Sequence, residues 1–296
     1  MERSGPERHH ADVLAAVDMS WWEALLLGGV EGLTEFLPVS STGHLTILES
    51  ALGFSIDDPD VTAFTAIIQV GAVLATLLYL WSDFWRIIKS FVRGITQPSE
   101  RTTRDYRFAW AVIIGSIPIG IVGLLFQDTI ETTLRSLWFV GIALILWSGV
   151  MAYADVNATQ ERGEATTTWK DTLVIGTAQC LALVPGVSRS GATMSAGLLR
   201  GLDRVAVTRL SFFLSVPALT AAGLLQIATK AGDISTGVGW APTIIATVVS
   251  FVIAYFAVGW LLRFIAHHNY SVFIRYRVVL GVVVLLLVAT GVLSAT

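Results

Sequence analysis

The sequence predicts an all-α integral membrane protein, a polytopic helical bundle with two inverted-topology repeats, each containing a re-entrant, broken-helix hairpin. Three observations carry that expectation. Of 296 residues, 54% are hydrophobic and only 14% charged, whereas soluble domains carry about 25% charged residues and still need a polar coat at this length. Six apolar stretches, 61–81, 108–126, 137–153, 205–227, 241–262 and 278–293, come close to the ~20 residues that cross a bilayer. Two further apolar regions, 21–52 and 172–199, are interrupted by proline and hydroxyl residues in matching order.

The flanks fit this frame. Residues 1–20 form a polar tail of mixed charge, without the basic and then apolar order of a cleavable signal peptide. His9 and His10 are read as bystanders there. Residues 21–296 are expected to be one membrane domain, with repeat one at about 21–153 and repeat two at about 171–296. Ten tryptophans suit anchoring at the lipid–water interface. The single cysteine, Cys180, excludes an internal disulfide and a cysteine zinc site and is expected to be an inert buried thiol. A net charge of −3 gives no sign of a nucleic-acid partner, and none is expected.

Each interrupted region reads as two short helices meeting at a turn. Irregular backbone at membrane depth is tolerated only inside protein or against a cavity. Leu37-Pro38-Val39-Ser40-Ser41-Thr42-Gly43 aligns with Val184-Pro185-Gly186-Val187-Ser188-Arg189-Ser190-Gly191 after one inserted glycine. This is a weak internal repeat about 148 residues apart. Arg86, Lys89, Arg93, Arg101, Arg104 and Arg107 place the segment 82–107 in the cytoplasm. Alternation then puts 127–136, 228–240 and both termini outside and 154–170 and 263–277 inside, where Arg263, Arg275 and Arg277 agree. The first hairpin returns to the outer side and the second to the inner side, so the repeats are inverted and their turns meet near the midplane.

Chemistry concentrates in three places. Glu31 and Glu35 are four apart, on one face of a helix. Each charge costs roughly 2.5–3.5 kcal/mol in a membrane helix. A divalent cation bridging them relieves that cost, as does a shared proton; the structural alternative is an interfacial pair reaching for water. After Pro38 ends the helix, Ser40, Ser41, Thr42 and Gly43 can cap a new helix starting near Gly43, an anion site, and His44 can exchange protons; the alternative is a plain turn and a core histidine. In the second hairpin, Arg189 suits phosphate oxygens. Ser188, Ser190 and Thr193 add hydroxyls, and Gly186 and Gly191 permit close backbone approach. The alternative there is a structural ion pair between Arg189 and Glu31 or Glu35. Gln69 and Gln179 face a cavity or bond backbone carbonyls. Asp203, Arg204 and Arg209 mark a membrane boundary, and His267 and His268 are solvated. Acid, base, nucleophile, anion clamp and metal site together suit phosphoryl transfer or hydrolysis.

Glu31-Gly-Leu-Thr-Glu35-Phe-Leu-Pro-Val-Ser-Ser-Thr-Gly-His44 and Pro185-Gly-Val-Ser-Arg-Ser-Gly-Ala-Thr193 closely resemble the two signature motifs of the undecaprenyl-diphosphatase, or bacitracin-resistance protein, family. The similarity runs from about Trp21 to the C-terminus and includes Gln179-Cys-Leu-Ala-Leu; a longer polar N-terminal tail and different loop lengths leave the motifs untouched. The resemblance implies a bacterial inner-membrane phosphatase that converts undecaprenyl diphosphate to the monophosphate carrier for peptidoglycan synthesis and confers bacitracin resistance. It also implies a divalent cation, Mg2+ or Ca2+, a site open to the periplasmic side, interlocked repeats and a homodimer. On that reading, Glu31 and Glu35 hold the metal or position water, and Ser40, Thr42, Gly43, Gly186, Ser188, Arg189, Ser190, Gly191 and Thr193 bind substrate. The resemblance does not decide what attacks phosphorus, Ser41, His44 or water; the residues themselves favour Ser41, assisted by His44 and Glu35. A transporter of the lipid carrier or a small anion, using the same inverted-repeat scaffold, is the alternative.

Overall fold

A computed structural model describes residues 19–126 and 136–295. The predicted polar tail before residue 19, with His9 and His10, and the loop at 127–135 lie outside the described residues. Among the described residues the fold is helical, and its order is α1 (Trp21–Thr34), α2 (Ser41–Leu52), α3 (Pro59–Tyr79), α4 (Trp81–Thr96), α5 (Arg104–Leu125), α6 (Leu137–Asn157), α7 (Trp169–Gln179), α8 (Arg189–Leu199), α9 (Arg204–Thr236), α10 (Trp240–Ile265) and α11 (Ser271–Ala289). Short 3-10 turns occupy Pro98–Thr102, Glu164–Thr166 and Cys180–Leu183. Six helices, α3, α5, α6, α9, α10 and α11, are long and apolar enough to cross a membrane. They coincide with the six stretches expected from sequence. Their outer faces carry large exposed apolar side chains such as Leu124, Leu146, Phe256 and Leu286, as lipid contact requires.

The two halves interlock. α1 packs on α10, and α7 packs on α5, so each hairpin rests on a helix from the other half; α3 lies against α9 and α6 against α11. Small residues set these distances. A Cβ on Gly28 would stand 2.3 Å from the Ala246 carbonyl oxygen, and one on Gly32 2.4 Å from that of Ser250. α1 can therefore lie in α10's groove only with glycine at both positions.

Each hairpin is fixed by contacts of its own. Met19, Leu27, Leu48 and Leu52 share one apolar cluster with Ile234 and Val238. In the second hairpin, Asp171 in the first turn of α7 meets Arg200, the residue that follows α8. Its fully buried carboxylate accepts from Arg162 at 2.6 Å and Arg200 at 3.0 Å. Burial alone would raise the Asp171 carboxyl, but hydrogen bonds from Arg162, Thr168 and Arg200 outweigh it and hold the group well below the usual carboxylate range. The neighbouring pairs Arg104–Glu164, Arg209–Glu164, Arg209–Asp83 and Arg204–Asp155 join the segments around α4, α5, α6 and α9. The Tyr270 hydroxyl is 2.7 Å from that of Thr208. Asp203, Arg204 and Arg209, expected to mark a boundary, belong to this polar belt, and His267 and His268 are exposed beside it.

Two expectations are corrected. The segment 82–107, by its charge expected to be a loop between spans, is mostly helical. α4 turns Phe84 and Ile87 inward and leaves Trp81, Trp85, Ile88, Val92 and Ile95 exposed beside Lys89 and Arg93. Its apolar residues recur at helical spacing, and the basic residues between them obscured that period. The segment 263–277, likewise expected to be a loop, is helical from Ser271, where α11 begins and takes in Arg275 and Arg277.

Candidate active site

The two turns are built alike. Ser40 (φ 76°) and Ser188 (φ 77°) are N-caps of α2 and α8, and each hydroxyl oxygen accepts from the amide three residues on, Gly43 or Gly191, at 3.2 Å. Among the described non-glycine residues only these two and Gln160 have positive φ. Such a conformation costs on the order of 1–3 kcal/mol and persists where surrounding bonds over-determine it. α2 therefore starts at Ser41, not near Gly43, because Ser40 is the cap and Gly43 supplies the capped amide. The inserted Gly186 has φ 97°, and a Cβ there would stand 2.5 Å from the Val140 carbonyl oxygen. Only glycine meets both conditions.

The turns also hold each other. The Gly186 amide donates to the Ser40 hydroxyl at 3.1 Å, and the Ser190 hydroxyl donates to the Leu37 carbonyl at 2.8 Å. This brings the first residues of α2 and α8, Ser41 and Arg189, onto one carboxylate. The Ser41 hydroxyl donates to Glu35 Oε2, and Arg189 Nη2 donates to Glu35 Oε1 at 2.6 Å. These two residues are aligned with each other in the internal repeat. Arg189 also lies over the Phe36 ring, 5.7 Å from its centroid. Its Nε and Nη1 have no hydrogen-bond partner among the described residues. The first-turn amides of both helices have no carbonyl within their own helix to bond, so α2 and α8 aim two N-terminal dipoles at one place.

A cavity of about 650 Å³ opens from this point. Glu35, Ser40, Ser41, Thr42, Ser188 and Arg189 form its polar head. The rest is mainly apolar, between α5 (Ile113, Ile117, Gly120, Gly123, Leu124) and α9 (Pro217 to Leu225), with Gln69 of α3 along one wall. Pro118 in α5 and Pro217 in α9 remove amide donors where these helices flank the cavity.

The remaining expected site residues stand behind that head. Glu31 is fully buried one turn back; no donor reaches either oxygen among the described residues. Glu35, Arg189 and Glu49 are the charges around it. The Thr193 hydroxyl donates to the Arg189 carbonyl (2.9 Å) and lies 2.7 Å from the Ser211 hydroxyl. Gly43, Gly186, Ser190, Gly191 and Thr193 thus shape the turns without lining the cavity. His44 also lies off the cavity. Its Nδ1 is 2.7 Å from the Ser40 carbonyl and its Nε2 2.7 Å from the Tyr276 hydroxyl, because position 44 comes nearly a full turn into α2 and faces α11. Of the two glutamines, Gln69 lines the cavity, while Gln179 is fully buried with its amide unbonded among the described residues. Cys180 is half-buried and its thiol is 3.6 Å from the Gly176 carbonyl.

Sequence reasoning missed Arg277, which it counted as a loop cation. Arg277 is fully buried and bonds both turns. Its neighbour Arg275, two residues away, points elsewhere on the helix and is exposed. Nothing in the sequence separates the two.

The chain is similar to known proteins along most of its length. Undecaprenyl-diphosphatase 3 of Frankia casuarinae is 71% identical over 278 residues, covering 94% of this chain and 100% of that protein. Undecaprenyl-diphosphatase of Cutibacterium acnes is 51% identical over 284 residues, 94% of this chain and 100% of that protein. Undecaprenyl-diphosphatase 1 of Streptomyces avermitilis is 53% identical over 273 residues, 92% and 98% respectively. The family described as bacitracin resistance protein BacA matches residues 24–283, a span that takes in both turns, five of the six long apolar helices and most of the sixth, so this chain is a multi-pass membrane protein and belongs to the BacA family.

Proposed function

We propose that this protein hydrolyses undecaprenyl diphosphate to undecaprenyl phosphate and inorganic phosphate, with Glu35 linking the Ser41 nucleophile to the Arg189 clamp. One observation carries the reading. The carboxylate shared by Ser41 and Arg189 stands at the head of a mainly apolar cavity, which fits an amphiphile with a phosphate head and a hydrocarbon tail.

The terminal phosphate approaches the unpaired Nε and Nη1 of Arg189, the Ser188 and Thr42 hydroxyls, and the amide ends of α2 and α8. As Arg189 turns toward the phosphates, Glu35 is freed to accept the Ser41 proton. Ser41 Oγ then bonds the terminal phosphorus while the bond from phosphorus to the bridging oxygen breaks, and Glu35 returns the proton to that oxygen as the lipid monophosphate leaves. Water attacks the phosphoserine, gives a proton through Glu35 to Ser41 Oγ, and inorganic phosphate departs. An adjacent base is what a serine needs to react at neutral pH.

The donor set suits a divalent cation, Mg2+ or Ca2+. Glu31 is a buried carboxylate without a donor among the described residues, and hard cations prefer such oxygens. No group of three His, Cys, Asp or Glu among the described residues makes a ready cage. Glu31 and Glu35 would therefore share the ion with phosphate oxygens and water, the habit of Mg2+, and the ion would neutralise phosphate charge.

The proposal includes two inverted-topology repeats with re-entrant hairpins. The matched caps at Ser40 and Ser188 and the crossed packing of α1 on α10 and α7 on α5 support it. It also includes a cytoplasmic position for the ionic belt of Arg104, Glu164 and Arg209, and hence a cavity open toward the outer side, following the basic-residue bias. A homodimer, implied by the family resemblance, is part of the same proposal; its mass in detergent tests it. The decisive experiment is cation-dependent phosphate release from undecaprenyl diphosphate by purified protein in detergent, without any gradient. Rapid quenching should trap phosphate on Ser41. Phosphate release that persists in Ser41→Ala would refute the nucleophile, and no release at all would favour transport.

A further inference from the structure

Arg277 is the largest fully buried side chain in the molecule as described. A cation there needs compensation, since an unpaired buried charge costs several kcal/mol. No carboxylate is within salt-bridge distance of it among the described residues. Its four bonds go to neutral acceptors: Nε to the Ser148 hydroxyl at 3.2 Å, Nη1 to the Pro38 carbonyl at 3.3 Å, and Nη2 to the Gly186 and Val187 carbonyls at 2.8 and 3.0 Å. Three of the four belong to the two turns that carry Ser41 and Arg189. Each carbonyl lies two or three residues before one of those side chains. The cavity lining does not include Arg277.

We propose that Arg277 is a positioning residue for phosphoryl transfer, a single rigid fork from α11 that fixes the turn of the first hairpin against the turn of the second. The planar guanidinium holds its donors at fixed angles, so binding Pro38 and Gly186 together fixes the separation of the two chains. The strained serine caps define the direction of each helix start, and Arg277 defines their relation. The charge also offsets the clustered carbonyl oxygens, which otherwise repel one another. Displacing reacting groups by about 1 Å can cost on the order of 100-fold in rate, so loss of the fork should act on turnover more than on binding.

The inference rests on the phosphatase reading for its kinetic arm alone. Arg277→Lys is the informative variant: it keeps charge and bulk, but one ammonium cannot span Ser148, Pro38, Gly186 and Val187. Expected are a cooperative thermal unfolding in detergent, a fall in kcat of tenfold or more with KM within about threefold, and faster amide exchange in the segments 36–44 and 184–192. Arg277→Met should lower kcat at least tenfold further, so that lysine gives partial rescue. Wild-type kcat in Arg277→Lys, an effect confined to KM, or unchanged exchange in both segments would overturn the proposal. If wild-type protein releases no phosphate, the activity reading fails instead, while exchange in the two turns still decides the role of Arg277.

Discussion

A double-mutant cycle on Glu35 and Arg189 tests the heart of the site. Their oxygen and nitrogen are 2.6 Å apart, with side chains 5% and 10% exposed. At an effective dielectric near 20, two unit charges at that distance attract by about 6 kcal/mol; desolvation of both removes most of this, so the pair is close to neutral as a unit. Removing one partner is different, because it strands the other charge in a desolvated place at about 3–5 kcal/mol. Arg189 touches the cavity, so about 3 kcal/mol is the better figure for Glu35→Gln. Arg189→Met should cost a similar amount, and the double variant should recover about 2–3 kcal/mol of the summed loss. Unfolding free energy in mixed micelles measures the cycle. Turnover should behave as a unit: each single change lowers phosphate release at least 100-fold, and the double change lowers it little further. Additive stability losses, with coupling below about 0.5 kcal/mol, would refute the pairing, and wild-type turnover in either single variant would refute the site.

Four further outcomes are expected. Asp171 is held well below the usual carboxylate range, so its stabilisation is fully present above its unfolded value near 4 and is lost as pH falls below it; Asp171→Asn should lower unfolding free energy by about 2–3 kcal/mol at pH 7 and flatten the acid limb of a pH–stability curve. His44→Asn keeps a donor for the Ser40 carbonyl, so it should retain at least ten times the turnover of His44→Ala; equal losses would restore His44 as the proton carrier. Gly120 lines the cavity and a Cβ there meets nothing within 4 Å; Gly120→Leu should fold and raise KM for the C55 diphosphate more than for a short-chain prenyl diphosphate. Gly186→Ala adds a Cβ 2.5 Å from the Val140 carbonyl at positive φ, and should destabilise the protein by more than about 1 kcal/mol, read as a lower melting temperature.

Much of the site was legible because its chemistry breaks the sequence's own pattern. Glu31, Glu35 and Arg189 are charges within apolar runs, where a charge without a partner is costly. Proline followed by serines and glycine announced both turns. The exact helix starts were less legible, since Ser40, Ser41 and Thr42 are all plausible caps and the positive φ of Ser40 comes from bonds to the other hairpin. The environment of His44 depended on which way one turn of α2 faced, and Tyr276 lies 232 residues away. Arg275 and Arg277 are the sharpest case: the same residue type two positions apart, one exposed and one fully buried.

By itself the sequence determined the solvent, the six long helices, the two hairpins and the residue types they bring to a phosphate, because hydropathy, proline and unpaired charge act over a few neighbours along the chain. Only the tertiary structure decided that Ser41 and Arg189 share Glu35, that Glu31 and His44 stand behind the cavity, and that Arg277 ties the turns together. Those facts follow from the crossed packing of two halves about 148 residues apart, and side-chain partners at that separation are set by distances between helices, which no local pattern encodes.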